Sequence, residues 1–174
     1  MCDTKFLVDS MSGKLARWLR ILGCDTEYVD PSEGDSLILR LSTSRILVTR
    51  DRELVKRAIN HGIRVVSVPE RLEEALAILS ASEGVRLKIE PKKSRCPFCN
   101  TKLNLVRRAH VVKGLPREVL RSHIKFLVCT SCGNVFWFGT HYWNMLRTLS
   151  EVKKKKGSLR FSGGPVMTGD GNDS

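Results

Sequence analysis

The chain has 174 residues, 41% hydrophobic and 28% charged, which is ordinary for a folded protein with one good core or a compact domain plus a small stapled module. No apolar run approaches the roughly 20 residues of a membrane helix, so a membrane protein is not expected. The formal charge of +12 points to a polyanionic partner, and it is uneven: residues 1–94 carry 16 Lys+Arg against 14 Asp+Glu, giving +2, and residues 95–174 carry 14 against 4, giving +10.

Met1 to Lys5 run straight into an apolar stretch without the pattern of a secretory leader, so the cytoplasm is the expected compartment. Lys5 to Val8 reads as a strand that ends at Asp9. The period then becomes helical, with Met11, Leu15, Trp18, Leu19 and Leu22 on one stripe and Gly23 as the C-terminal cap. Lys14, Arg17 and Arg20 share the opposite arc of the wheel, where they form either a phosphate clamp or a solvated face. Thr26 to Val29 is a second strand, Asp35-Ser36 opens a helix with Leu37, Ile38 and Leu41, and Arg45 to Thr49 is a buried strand followed by Arg50 and Asp51. A helix with Leu54, Val55, Ala58 and Ile59, a strand over Ile63 to Val68, and a helix with Leu72, Ala75, Leu76 and Leu79 complete the alternation.

Strands alternating with helices of this length predict an α/β fold, with a mainly parallel sheet covered on both faces. Val85 to Ile89 is a candidate edge strand, and Glu90-Pro91-Lys92-Lys93-Ser94 is a polar hinge at which the composition changes. A closing helix is expected from His141 to about Lys156, and the Gly- and Ser-rich residues 157–174 are expected to be a disordered tail.

Four of the six cysteines form two Cys-x-x-Cys knuckles, Cys96/Cys99 and Cys129/Cys132, which is the strongest local signal in the chain. Four thiolates suit a closed, structural zinc site that staples a module too small for its own core. His110, His123 and His141 are competing ligands that fit less well, and Cys2 and Cys24 are left as plain thiols. Arg107, Arg108, Lys113, Arg117, Arg121 and Lys125, with the aromatic run from Phe136 to Trp143, suit unstacked RNA. Those rings could equally pack the ribbon against the first domain.

Ligands of open α/β sheets bind beyond the carboxyl ends of the strands, where Asp9 and Asp51 are expected, and Asp35 starts the intervening helix. Three carboxylates at one edge stay ionised most cheaply around a cation, and magnesium or manganese there would serve phosphodiester hydrolysis. Asp35 and Asp51 also suit helix caps, whereas Asp9 directly after a strand has little local structural use. Arg50 is placed either for substrate or for a neighbouring carboxylate.

Phe6-Leu7-Val8-Asp9, Met11 to Gly23, Asp35, Ile46 to Asp51, both knuckles and Trp137 to His141 together resemble the Mut-seven C-terminal RNase domain family, a PIN-like branch of nucleases with a C-terminal zinc ribbon. The resemblance implies a PIN-like three-layer α/β/α fold, which the composition places over residues 1–90, followed by a zinc ribbon with its closing helix over 91–156 and the tail over 157–174. It implies a metal-dependent endoribonuclease with catalytic and metal-binding Asp9, Asp35 and Asp51, and Lys14, Arg17, Arg20 and Arg50 are the expected substrate contacts. The wider PIN pattern has one more acidic ligand, for which Glu53 and Glu70 are the candidates, and Ser12 replaces a bulkier residue, a change expected to matter little. RNA is the expected partner. The alternative is a non-catalytic RNA-binding factor, docked on the ribosome or another ribonucleoprotein, that keeps the nuclease fold.

Overall fold

A computed structural model describes residues 2, 4–29, 34, 38, 40–108 and 115–158. Asp35, the tail beyond residue 158, and His110 and Lys113 lie outside the described residues.

Four short strands form one parallel sheet: β1 (Lys5–Val8), β2 (Asp25–Tyr28), β3 (Ile46–Thr49) and β4 (Val65–Ser67), in the order β2-β1-β3-β4. Alternation along β1 divides the interior, because successive side chains of a strand point to opposite faces. Phe6 and Val8 join Ile46, Val48, Val66 and Val68 under α1 (Gly13–Ile21), α3 (Leu72–Ser82) and α5 (Thr140–Ser158), while Leu7, Leu47 and Val65 face α2 (Arg52–Asn60) and Ile38. The result is three layers with a core on each side of the sheet. A strand such as Ile46–Thr49, apolar through Val48 and buried at every residue, is what a doubly covered parallel sheet requires. Each fully buried Leu or Phe there contributes about 2 kcal/mol.

Val85 to Ile89 is not a strand of the sheet. It keeps the expected alternation, with Val85, Leu87 and Ile89 buried in the core beneath α3 and α5, but its backbone joins no ladder. The closing helix α5 likewise sends Met145, Leu149 and Val152 into this core, so the last element of the ribbon segment packs with the first ones of the chain.

Cys2 and Cys24 are joined by a disulfide, with Cα atoms 5.1 Å apart, which corrects their reading as plain thiols. The register explains it. β1 and β2 are parallel neighbours with Lys5 opposite Asp25, so the residues just before each strand lie side by side.

The second sheet is antiparallel, β5 (Asn104–Arg107), β6 (Lys125–Val128) and β7 (Val135–Trp137) in that order, with the short α4 (Arg117–Ser122) before β6. Cys96, Leu103, Leu127 and Cys129 form its small core. Among the described residues no helix is long and apolar enough to cross a membrane.

Candidate active site and metal centre

The two cysteine knuckles adopt one local conformation. In the first, the Asn100 N–H donates to the Cys96 carbonyl at 3.0 Å and Asn100 takes φ 65°; in the second, the Gly133 N–H donates to the Cys129 carbonyl at 3.0 Å and Gly133 takes φ 72°. Gly and Asn are the residues that tolerate this left-handed turn. The turns bring the four Sγ atoms of Cys96, Cys99, Cys129 and Cys132 within 4.8 Å of one another, and such a cluster can hold a zinc ion. The electrostatics fit a cation: burial pushes the Cys96 thiol up to about 12, and hydrogen bonding with Thr101 brings Cys99 down to about 6, so four thiolates do not coexist without positive charge between them. His123 instead directs Nδ1 to the Val119 carbonyl, 3.2 Å away, and stands edge-on to Phe126.

Arg20 fastens this module to the sheet. Its Nε donates to the Thr26 carbonyl at 2.8 Å, and its Nη1 to the carbonyls of Pro97 at 2.9 Å and Phe98 at 3.1 Å. The wheel placed Arg20 on a solvent arc beside Lys14 and Arg17, and that placement is corrected: Arg20 is buried because the first knuckle docks over the end of α1. Asn100 completes the joint, donating Nδ2 to Asp25 at 2.8 Å and accepting the Thr26 N–H at 3.1 Å. Asp25 is also paired with Arg45 at 3.0 Å. Burial works against the charged form of Asp25, but its bonds to Asn100 and Arg45 outweigh it and hold the carboxyl below its ordinary range.

The acidic residues lie at the other end of the strands. Asp9 follows β1, is 3% exposed, accepts the Met11 N–H at 3.1 Å through Oδ1, and accepts the Thr49 hydroxyl through Oδ2. That same Thr49 Oγ1 accepts the Asp51 N–H at 2.9 Å. One hydroxyl thus ties the Asp9 carboxylate to the backbone of Asp51. Asp51 caps α2, its Oδ1 accepting from Glu53 N at 2.8 Å and Leu54 N at 3.2 Å, which leaves its second oxygen out of the cap. Among the described residues the only cluster of three or more metal-ligating side chains within reach of one ion is the cysteine set, and Asp35 is not among those residues.

Arg50 donates Nη2 to the Met11 carbonyl at 2.8 Å and pairs through Nη1 with Glu70 at 3.3 Å, so of its two expected roles it fills the carboxylate one here. Glu53, the other candidate for a further acidic ligand, pairs with Lys56 at 2.8 Å on the surface of α2. Lys14 and Arg17 are exposed on α1, and Arg17 lies over the Phe98 ring at 5.6 Å. Two buried polar atoms at this end lack partners, Ser12 Oγ and Arg50 Nε. With Lys14 and Glu70 these residues line a small cleft of about 70 Å³, beside an open groove of about 600 Å³ that runs past Met11, Arg52 and Ser67. A buried hydroxyl without a partner is rare, so Ser12 Oγ is placed to meet a polar group entering the cleft.

Sequence reasoning missed Thr49, whose only signal was a polar residue closing an apolar strand just before Arg50-Asp51. The aromatics divide: Phe136 and Phe138 pack against the ribbon core and Tyr142 against the main one, while Trp137 and Trp143 stand exposed.

No curated protein and no solved structure matches the chain. The model of the Mut7-C RNAse domain family matches residues 4–149, and with both cysteine knuckles and the acidic strand ends inside that span, the chain belongs to this family.

Proposed function

We propose that this protein is an endoribonuclease that hydrolyses RNA phosphodiester bonds at the carboxyl edge of its parallel sheet, with magnesium or manganese held by Asp9, Asp51 and Asp35. The assignment of Asp35 rests on its place in the sequence and on the family resemblance. The observation that carries the reading is Asp9: a carboxylate 3% exposed, given two hydrogen bonds and no basic partner among the described residues. Buried carboxylates in proteins are typically paired or coordinate a metal, so an enclosed Asp9 with two hydrogen bonds and no basic partner suits a cation. The orphaned Ser12 Oγ and Arg50 Nε beside it add to the case for an absent polar ligand.

A hard divalent ion, when bound, supplies Lewis-acid neutralisation of the phosphate and a polarised water. The chain's own residues do the rest. Thr49 orients the Asp9 carboxylate, and Lys14 and Arg17 on the exposed arc of α1 contact phosphates as substrate enters the groove. Arg50 holds the loop after β1 through the Met11 carbonyl. Arg20, with all its contacts on carbonyls, positions the ribbon rather than the substrate. The ribbon extends the binding surface: Arg107 and Lys125 face each other across β5 and β6, a like-charge pair that destabilises a free sheet and suits a bound polyanion.

The test is incubation of the purified protein with labelled single-stranded and structured RNAs, in magnesium, manganese or chelator, beside Asp9→Asn. Products should require the metal and fall by about 100-fold or more in the variant, with RNA affinity kept. If wild type and Asp9→Asn yield the same products, or none with either metal, the protein is a docking factor on RNA or a ribonucleoprotein.

A further inference from the structure

A second concentration of positive charge lies at the opposite pole of the sheet. In the extended segment after α3, Val85, Leu87 and Ile89 are buried, so Arg86 and Lys88 between them are turned outward. The hinge then closes on itself, with the N–H groups of Lys93 and Ser94 both donating to the Glu90 carbonyl, which leaves Lys92 and Lys93 exposed. Gly23 permits this approach. It takes φ 93°, and a Cβ there would meet the Lys93 carbonyl oxygen at 3.0 Å. Arg95 and Lys102 pair in an isolated antiparallel bridge at the root of the ribbon.

The stretch from Arg86 to Lys102 folds so that Arg86, Lys88, Lys92, Lys93, Arg95 and Lys102 line one cavity of about 170 Å³, against a single carboxylate, Glu90. Lys93 pairs with Glu90 and Arg95 with Asp25; the other four have no ion pair among the described residues. The hydrogen bond from Lys93, then the charges of Lys93, Lys88 and Arg86, hold the Glu90 carboxyl below its ordinary range, so these cations act on one small volume. Periodic exposure explains Arg86 and Lys88 as a solvated face, but not the fold-back of the hinge and the bridge to Lys102 that turn the later cations into the same hollow. Six cations around one carboxylate carry an excess of positive charge that repels itself unless a polyanion shares the hollow.

We propose that this groove is a second RNA-contacting site, which holds backbone phosphates of the substrate at a distance from the scissile bond; it rests on the ribonuclease reading above. The groove borders Cys2 and Gly23, before β1 and β2, whereas Asp9 follows β1. The four residues of β1, extended up to Asp9, put the two places more than about 13 Å apart. One nucleotide cannot occupy both, so the groove acts only on RNA long enough to span them.

The experiment compares two variants of the full chain. One carries Arg86→Gln, Lys88→Gln, Lys92→Gln and Lys102→Gln; the other, a control for net charge, carries Arg147→Gln, Lys153→Gln, Lys154→Gln and Lys155→Gln on exposed positions of α5. Affinity for a long single-stranded RNA is measured in chelator, against salt, so that it is independent of cleavage, and a urea midpoint confirms that each variant is folded. The groove variant should lose up to roughly 100-fold in affinity at 0.15 M salt, with the slope of log K against log salt reduced by about 3, and the control should lose far less. Cleavage of a short oligonucleotide should be unchanged in the groove variant, while KM for the long RNA rises. Equal losses in the two variants would reduce the groove to part of a general field. Unchanged RNA affinity with lost binding to phosphatidylserine vesicles would assign the groove to a lipid surface. If affinity falls as expected but no metal-dependent cleavage is found, the groove stands and the nuclease reading fails.

Discussion

At the scale of single residues, Thr49 joins the two acidic positions that the chain separates by more than forty residues. Its hydroxyl gives its proton to Asp9 and receives one from the backbone of Asp51, so it fixes the orientation of one carboxylate and the entry to the helix capped by the other. A group that orients a ligand without touching the substrate typically accounts for 10- to 100-fold in activity or metal affinity. Thr49→Val keeps the shape and removes the hydroxyl, so kcat should fall by about that factor with metal affinity weakened, while Thr49→Ser restores most of it. An active Thr49→Val protein with unaltered metal dependence would show the hydroxyl to be merely structural. Asp9 was readable from the sequence as a carboxylate at a strand end. Thr49 was not, because a hydroxyl at the close of an apolar strand is indistinguishable from one that satisfies its own backbone.

Among the elements, the end of α1 carries the most consequence. Sequence periodicity recognised the helix, its Gly23 terminus and its apolar stripe, and the structure keeps them except for Met11, which is 60% exposed in the 3-10 turn that precedes α1. It misplaced Arg20, since a wheel describes one helix in isolation and the first cysteine knuckle covers the arc where Arg20 sits. Arg20→Met removes the donors of three carbonyl bonds in this joint, and stability should drop by about 2–3 kcal/mol in urea unfolding of the zinc-loaded protein. Arg20→Lys should recover little, because an ammonium lacks the planar fork that reaches Thr26, Pro97 and Phe98 together. Were Arg20 a phosphate contact, the same substitution would weaken RNA binding and leave the urea midpoint in place.

For the whole molecule, what matters is how the ribbon is held to the sheet. Asp25 gathers Arg45, Arg95 and Asn100 at that joint, and its folded pKa is lowered, its hydrogen bonds outweighing the cost of burial. A lowered carboxyl contributes stability that is present above its unfolded value, near 3.9, and lost as pH falls through the folded one. The stability gap between wild type and Asp25→Asn should therefore be widest at neutral pH and close as the pH drops below about 4. A gap that does not change with pH would remove Asp25 from the joint. By itself the sequence determined the α/β class, the order of the four parallel strands and of α1, α2 and α3 along the chain, the cysteine knuckles and the strand-end position of Asp9, because each follows from periodicity, spacing or turn chemistry within a few residues. Only the tertiary structure decided that Cys2 meets Cys24, that Arg20 is buried and that α5 returns to the first core. Each of these depends on which distant segments become neighbours, and local pattern carries no information about that.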